Sequence, residues 1–201
     1  VISVPTGSGK SMVFSLLSFW LRKCVMVVTP LLSLMADQED KLANNFNDLK
    51  AAHLGPDVDS NVVREQVEKG EIRIVFVTPE SYMTNLVVWS VEKPFFNQYF
   101  GAIVIDEAHD LVLVDSNFRP DFLRLCKTQF RQSKLVFLSG SLTMRVERAM
   151  IDSVFSHLPN IKEAFENKIS ESQDRENLYL AICGRKSKTD FQPLGWITTV
   201  S

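Results

Sequence analysis

The sequence predicts an α/β fold in which a mostly parallel β-sheet has helices on both faces. Short runs rich in apolar and β-branched residues alternate along the chain with stretches of helical periodicity. Strands that are apolar on both faces and are separated by helices are typical of a parallel sheet buried between two helical layers. With 201 residues, of which 45% are hydrophobic, the chain is long and apolar enough to bury the core of one such domain.

The alternation places six candidate strands and six candidate helices along the chain up to residue 155. The candidate strands are residues 1–4, 25–29, 51–54, 72–77, 102–105 and 135–138. The candidate helices are residues 11–23, 33–44, 60–69, 81–89, 120–130 and 143–155. After residue 158 the pattern weakens, so we expect residues 1–158 to form the domain and residues 159–201 to form a linker. Within that linker, residues 178–182 are one more candidate strand.

A glycine-rich turn follows the first candidate strand. Gly7 and Gly9 provide the backbone freedom that lets consecutive N–H groups converge on one anion, and the next helix adds the positive end of its dipole. In such a loop Lys10 reaches the β- and γ-phosphates of a nucleotide, and the Ser11 hydroxyl binds Mg²⁺. Val4 stands where the strict phosphate-loop pattern has glycine, so the alternative is a structural turn followed by a chance Lys-Ser.

Two adjacent carboxylates, Asp106 and Glu107, follow the fifth candidate strand. Asp106 suits Mg²⁺, usually through water, and Glu107 suits the orientation and deprotonation of a water molecule that attacks the γ-phosphate. A bound cation would offset the desolvation cost of two carboxylates at the end of a buried strand. The alternative is an acidic helix N-terminus, but the coincidence with the glycine-rich loop at another strand end favours nucleotide hydrolysis.

The composition argues against several other classes of protein. A net charge of −2 and a pI near 6.0 do not indicate a strong nucleic-acid binder, so contacts with nucleic acid must be local or shared with other parts. Cys24, Cys126 and Cys183 fit neither a disulfide framework nor a zinc pattern, which favours a reducing, intracellular location. Residues 12–21 are apolar on nearly all sides, as in a helix wedged against a sheet, but are too few to cross a bilayer, and we expect no membrane partner.

Several motifs together carry a resemblance to one family. The segments VPTGSGKS, VVTPLLSLMADQ, IVFVTPE, IVIDEAH, FRPDF and LSGSLT occur in the order and spacing of a RecQ-type DNA helicase of superfamily 2. They resemble motifs I, Ia, Ic, II, the loop after motif II, and motif III of its first RecA-like domain. The segment DRENLYLAI resembles the connection to the second such domain. The resemblance covers almost the whole chain and implies a RecA-like P-loop domain of an ATP-dependent 3′–5′ DNA helicase.

The resemblance also implies roles for individual residues. The residues implied to bind ATP are Thr6, Gly7, Ser8, Gly9, Lys10 and Ser11. Ser11 and Asp106 are implied to bind Mg²⁺, and Lys10, Asp106 and Glu107 are implied to be the catalytic residues. His109 is implied to connect the nucleotide to the elements that sense DNA. The remaining residues implied to contact DNA or to couple it to the nucleotide are Thr29, Pro30, Thr78, Phe118, Arg119, Ser139 and Thr143.

The implied partners are DNA, either single-stranded or a 3′-tailed duplex, and a second RecA-like domain of the parent chain. The second domain would supply an arginine finger, and we expect hydrolysis and unwinding to need it. The implied location is the nucleus if the source is eukaryotic and otherwise the cytoplasm.

The chain also departs from the family in several respects. We expect it to start after the glutamine-containing motif that reads adenine, to stop before the second RecA-like domain, and to lack the zinc-binding and winged-helix modules. Residues 112–116 are Val-Leu-Val-Asp-Ser where the family usually has Ser, Gln, Trp, Gly and His, and residues 139–143 read Ser-Gly-Ser-Leu-Thr in place of a Ser/Thr-Ala-Thr-Ala-Thr type sequence. Two hypotheses therefore stay open: a helicase ATPase domain, or a diverged non-motor module that binds nucleotide or a protein partner.

Overall fold

Seven strands form one sheet in the part of the chain that the computed structural model describes. The described residues are 1–5, 9–30, 32–45, 49–56, 58–84, 94–113, 134–154 and 161–171. The strands are β1 (Ile2–Ser3), β2 (Cys24–Val28), β3 (Ala51–Leu54), β4 (Ile74–Val77), β5 (Phe100–Ile105), β6 (Leu135–Ser139) and β7 (Ile169–Ser170). Their order across the sheet is β3-β4-β2-β5-β6-β1-β7, and each of these neighbouring pairs is parallel. The predicted parallel α/β fold is confirmed.

Helices connect the strands in these ranges. They are α1 (Lys10–Leu21), α2 (Leu32–Asn45), α3 (Ser60–Glu68), α4 (Pro79–Thr84), α5 (Pro94–Tyr99), α6 (Asp110–Leu113), α7 (Met144–Ala149) and α8 (Ile161–Glu166). Helix α7 continues directly into a π-helical turn, Met150–Val154. The longest described helix, α2, has 14 residues, and no helix in this part of the chain has the length and apolarity needed to cross a bilayer.

Alternate side chains of the central strands divide the core into two layers. In β2, Val25 and Val27 pack on one face of the sheet with Phe14 of α1 and Met35 of α2. Met26 packs on the opposite face, in the apolar cluster that includes buried side chains of α3, α5, α7 and α8. Every residue of β2 and of β4 is buried. Helices on both faces explain why these strands read as continuous apolar runs.

The close approach of α1 to β5 depends on a glycine. Gly101 lies where the register between β2 and β5 shifts, since Cys24 pairs with Phe100 and Val25 pairs with Ala102. A Cβ at residue 101 would lie 2.9 Å from Cδ1 of Leu21, at the end of α1. The missing side chain therefore lets the end of α1 cross β5 at short distance.

The structure contains all six predicted strands and adds elements that were not predicted. The additional elements are the helices α5, α6 and α8 and the strand β7. The predicted helix 81–89 corresponds to α4, which begins at Pro79, and residues 85–89 lie outside the described ranges. The predicted helix 120–130 and the predicted strand 178–182 also lie outside the described ranges. The sheet extends past the expected boundary at residue 158, because β7 pairs with β1.

Candidate active site

The polar residues predicted to form a site follow the carboxyl ends of parallel strands. Thr29 follows β2, Thr78 follows β4, and Asp106 follows β5. The three strands are neighbours in the order β4-β2-β5, so these residues lie at one edge of the sheet. Helix α1 begins at the same edge, because it is the first helix after β1. This edge is where ligands bind in open α/β sheets.

The start of α1 requires a glycine. Gly9 is the N-cap residue and has a left-handed backbone with φ of 79°, and its carbonyl accepts a 2.9 Å hydrogen bond from the Met12 N–H. Glycine takes this conformation without the penalty that a Cβ would impose. Lys10 and Ser11 then form the first turn of the helix, where backbone N–H groups lack partners within the helix. Thr6, Gly7 and Ser8 lie outside the described residues.

Lys10 and Glu107 form an ion pair at this edge. The Lys10 Nζ donates to Oε1 of Glu107 over 3.2 Å, and the two residues are 97 positions apart in the sequence. The Lys10 side chain is 11% exposed and the Glu107 side chain is 29% exposed. The fold therefore brings together the two residues that the sequence assigned to phosphate binding and to water activation.

Asp106 is a buried carboxylate beside this pair. The residue is 7% exposed, and its Oδ1 accepts a 3.0 Å hydrogen bond from the backbone N–H of Glu107. Burial, and after it the negative charge of Glu107, raise the pKa of the Asp106 carboxyl above its ordinary value. The Glu107 N–H, the Lys10 ammonium group and the neighbouring His109 act on the Asp106 pKa in the opposite direction. The charged carboxylate is thus destabilised in the free chain.

The turn after β5 holds Glu107 in an unfavourable backbone conformation. Glu107 has φ of 47°, in the left-handed region, which costs a residue with a side chain about 1 kcal/mol. The turn is fixed on both sides, because the Asp106 N–H donates to the Val28 carbonyl and the Ala108 N–H donates to the Leu138 carbonyl. Residues with such backbone strain concentrate at functional sites.

His109 links the acidic pair to the end of β6. Its Nδ1 lies 3.1 Å from Oγ of Ser139 and 3.4 Å from Oε2 of Glu107, and its Nε2 lies 3.5 Å from Oδ1 of Asp110. The Ser139 Oγ also accepts a hydrogen bond from the Ser141 N–H. His109 therefore contacts Glu107 directly, and Ser139 is connected to Glu107 through His109. Asp110 was not among the predicted site residues.

The other predicted coupling residues have local structural roles. Thr143 is the N-cap of α7, and its hydroxyl accepts a hydrogen bond from the Val146 N–H. Thr78 is buried, and its hydroxyl accepts from the Ser81 N–H at the start of α4 and donates to the Ser81 hydroxyl. The Thr29 hydroxyl is also buried and has no hydrogen-bond partner among the described residues.

Pro30 follows Thr29 at the same edge, and Phe118 and Arg119 lie outside the described residues. For all of these residues a contact with DNA stays a prediction. Both hydroxyls are buried, the Thr29 N–H donates to the Val77 carbonyl, and the Thr78 carbonyl accepts from the Tyr82 N–H.

The donor set at this edge fits Mg²⁺ bound together with a nucleotide. Mg²⁺ prefers oxygen ligands and is often held by one or two carboxylates, phosphate oxygens and water. Asp106 supplies a desolvated carboxylate and Ser11 supplies an exposed hydroxyl at the start of α1. Within the described ranges no three His, Cys, Asp or Glu side chains are grouped as a metal site, so a Mg²⁺ ion here would depend on phosphate and water for most of its ligands.

The amino-acid sequence matches one protein family and several individual helicases. The family model described as DEAD/DEAH box helicase matches residues 1–149. The chain is 28% identical over 195 residues to the RecQ-like DNA helicase BLM of Xenopus laevis, covering 93% of this chain and 14% of that protein. It is 30% identical over 188 residues to the ATP-dependent DNA helicase Q-like 2 of Arabidopsis thaliana, covering 90% of this chain and 26% of that protein. It is 28% identical over 204 residues to the ATP-dependent DNA helicase RecQ of Haemophilus influenzae, covering 92% of this chain and 31% of that protein.

A solved structure agrees with the fold. The helicase domain of Hef from Pyrococcus furiosus superimposes with a TM-score of 0.60 at 18% identity, covering 87% of this chain and 35% of that one. This likeness supports the predicted RecA-like class of the sheet and helices. The chain spans between 14% and 31% of the length of the three sequence relatives.

Replacing Asp106 by asparagine should stabilise the free chain at neutral pH. The variant removes a charge that burial disfavours, and an amide oxygen at the same place can still accept the Glu107 N–H. We expect a gain in the free energy of unfolding of about 1 kcal/mol at pH 7. Because the folded-state pKa of Asp106 is raised, the native charge is neutralised as the pH falls through that pKa, and the gain should shrink there.

Urea denaturation of both proteins at pH 7 and under acidic conditions measures this difference. Asp40→Asn is the matched control, because Asp40 is an exposed carboxylate on α2, and its substitution should change stability little. An Asp106→Asn variant that is less stable than the native chain at pH 7 would contradict the assignment of Asp106 as a destabilised carboxylate.

Proposed function

The chain belongs to the DEAD/DEAH box helicase family, and we propose that it is the ATP-binding and ATP-hydrolysing domain of a RecQ-like DNA helicase. The observation that carries this proposal is the meeting of Lys10, Asp106 and Glu107 at one edge of the sheet. These residues come from the start of α1 and from the turn after β5, and they provide a cation, a metal-binding carboxylate and a base. Phosphoryl transfer to water needs these three groups.

Each group has one task in the proposed reaction. Lys10 binds the β- and γ-phosphates and compensates their negative charge. Asp106 and Ser11 would hold Mg²⁺, which would supply positive charge at the phosphate oxygens of a bound nucleotide. Glu107 orients the attacking water and accepts its proton. The left-handed backbone of Glu107 keeps its carboxylate beside the phosphate-binding lysine.

The ion pair between Lys10 and Glu107 belongs to the nucleotide-free state of the proposed site. Phosphate oxygens compete with Glu107 for the Lys10 ammonium group, because both are anionic acceptors at the same Nζ. Binding of ATP therefore releases the Glu107 carboxylate for contact with water. The Ser139 and His109 contacts lie next to this carboxylate, so a change at the nucleotide reaches the end of β6 through them.

The activity of the parent protein is proposed from the family. The relatives carry the names of ATP-dependent or RecQ-like DNA helicases, which supports DNA as the substrate and unwinding as the activity. The 3′–5′ direction is proposed from the resemblance of the motifs alone. DNA would contact Thr29, Pro30 and Thr78, which share the carboxyl edge of the sheet with the nucleotide site. A second RecA-like domain would complete the site with an arginine, which is worth about 10³–10⁵ in rate in related phosphoryl transfers.

A non-motor module that binds nucleotide or a protein partner is the alternative. Its support is the replacement of the family's usual residues at positions 112–116, of which residues 114–116 lie outside the described ranges. The intact constellation of Lys10, Asp106 and Glu107 favours the helicase ATPase. Absence of nucleotide binding would favour a module that binds a protein partner, and the effects of the variants below on binding and hydrolysis separate the ATPase from a module that only binds nucleotide.

Replacing Lys10 by alanine should weaken ATP–Mg²⁺ binding about tenfold or more. The variant removes a charge-assisted hydrogen bond to phosphate, which contributes about 1.5–3 kcal/mol. Isothermal titration of the 201-residue chain with ATP and Mg²⁺ measures the affinity. Lys41→Ala is the control, because it removes the same charge from an exposed position on α2 and should leave the affinity unchanged. Equal affinities for the Lys10→Ala and native chains would contradict the phosphate role, and no binding by the native chain at millimolar ATP would favour the non-motor module.

Replacing Glu107 by glutamine should strengthen ATP binding about two- to fivefold and remove the residual hydrolysis of the chain, which we expect to be low without the arginine of a second domain. The neutral side chain no longer competes for the Lys10 ammonium group, and a partly exposed ion pair of this kind contributes about 0.5–1 kcal/mol. Titration with ATP–Mg²⁺ and a phosphate-release assay measure the two effects. Asp110→Asn is the control, since it removes a nearby carboxylate that contacts His109. Weaker ATP binding by Glu107→Gln than by the control would show that Glu107 does not compete for Lys10.

A further inference from the structure

Strand β3 forms one edge of the sheet. It pairs with β4 on one side, and the described part of the chain places no strand on its other side. The opposite edge strand, β7, has two residues, whereas β3 has four and is about 13 Å long. The backbone groups on the open side of an edge strand can pair with a strand from another protein. Strand β3 therefore offers the longer of the two edges for such a strand.

The backbone groups of Ala51 and His53 point away from β4. The Lys50 carbonyl accepts a hydrogen bond from the N–H of Arg73, directly before β4. The C=O and the following N–H of a trans peptide point in opposite directions, so the Ala51 N–H points to the open side. Because the directions alternate along a strand, the N–H and C=O of His53 point outward too. Among the described residues these outward groups have no backbone hydrogen-bond partner.

A groove with a volume of about 610 Å³ runs along this open edge, and residues of α2, β3 and α3 line it. The two helices lie on opposite faces of the sheet, because Met35 and Leu42 of α2 belong to one core layer and Val63 and Val67 of α3 belong to the other. A groove lined by both helices and by the edge strand lies beside β3 in the plane of the sheet. The next strand of a sheet would lie there, about 4.8 Å from β3.

The wall of the groove on the α2 side is acidic. Three carboxylates line the groove, Glu39, Asp40 and Asp59, against Lys50 and His53. Glu39 and Asp40 belong to α2, and Oε1 of Glu39 lies 2.8 Å from Nδ1 of His53. Burial raises the pKa of Glu39, and the contact with His53 acts in the opposite direction. A cationic side chain beside this wall would favour the charged carboxylates.

The wall on the α3 side is apolar. Val62 and Val63 line it from α3, and Val58 lines it from the turn before that helix. Val63 is buried, whereas Val62 is 52% exposed. Alternate side chains of a strand point to opposite faces of a sheet, so a strand in the groove would direct one set of side chains to the acidic wall and the other set to the apolar wall.

We propose that the open edge of β3 binds an extended segment of another protein in which basic residues alternate with apolar, β-branched residues. Main-chain hydrogen bonds to Ala51 and His53 would provide affinity, and the two unlike walls would select the alternation. Charge disfavours a second copy of this chain as the occupant. Antiparallel pairing of two β3 strands would place the two α2 helices on the same face and bring both Glu39–Asp40 pairs together, and like charges across an interface repel.

Fluorescence anisotropy with short peptides tests the proposal on the 201-residue chain. The probe is a fluorescein-labelled hexapeptide of alternating lysine and valine. Its control has three lysines followed by three valines, which keeps the charge and composition and removes the alternation. We expect the alternating probe to bind at least about tenfold more tightly than this control. Of two further probes, methylated on the backbone nitrogens of either the lysines or the valines, the one whose methylated edge faces β3 should lose binding.

Variants of the chain locate the probe. Ala51→Pro removes an outward N–H that does not bond to β4, a position at which edge strands tolerate proline, and should weaken probe binding about threefold or more. Glu39→Gln removes a carboxylate of the acidic wall and should weaken it about two- to fivefold. Glu65→Gln is the matched control, because Glu65 is an exposed carboxylate of α3 that does not line the groove, and it should leave binding unchanged. Urea denaturation shows whether each variant is folded, and the methylated probes require no change in the protein.

Four results would overturn the proposal. The first is no binding of the alternating probe at about 1 mM, and the second is equal binding of the alternating and block peptides. The third is binding that neither methylated probe loses, which would exclude main-chain pairing. The fourth is a dimer in light scattering that Ala51→Pro dissociates, which would assign the edge of β3 to a second copy of the chain.

Discussion

The common direction of the strands is the constraint on which the candidate site depends. Every described pair of neighbours in the sheet is parallel, so the residues that follow β2, β4 and β5 emerge at one edge. The connection from β1 brings the start of α1 to the same edge, and Lys10 meets Glu107 across 97 residues of sequence. If one of these strands were reversed, its polar end would lie about the length of a strand away, and the cation and the carboxylates would not meet.

The site also concentrates features that cost stability in the free chain. The Asp106 carboxyl is buried, and burial and the charge of Glu107 raise its pKa. Glu107 has a left-handed backbone, which the hydrogen bonds of Asp106 and Ala108 to the flanking strands hold in place. A cation bound at Asp106 would favour the ionised carboxylate, and phosphate at Lys10 would take the place of the internal ion pair. These costs agree with the proposal that this edge of the sheet binds a nucleotide and a metal ion.

The sequence predicted the central sheet and the positions of Lys10, Asp106 and Glu107, because buried strands are continuous apolar runs and motif residues directly follow them. It did not predict α5, α6, α8 or β7, which have two to six residues and are too short to show periodicity. The positive φ of Glu107 was not predictable either, since neighbouring strands and not a glycine impose it. Helix α1 reads as apolar on nearly all sides, and only the structure shows that Ser15 and Ser18 face the sheet while larger apolar side chains face outward.

The location of a bound metal–nucleotide complex tests the central claim most directly. Mn²⁺ can replace Mg²⁺ as an oxygen-preferring ion, and its unpaired electrons broaden the NMR signals of nearby backbone amides. With a non-hydrolysable ATP analogue and substoichiometric Mn²⁺, the account predicts that the amides of residues 9–12 and 105–108 broaden first, while those of β3 and α3, which lie away from the turn after β5, remain sharp. Broadening centred on another part of the chain, or broadening that is the same with and without the nucleotide analogue, would contradict it.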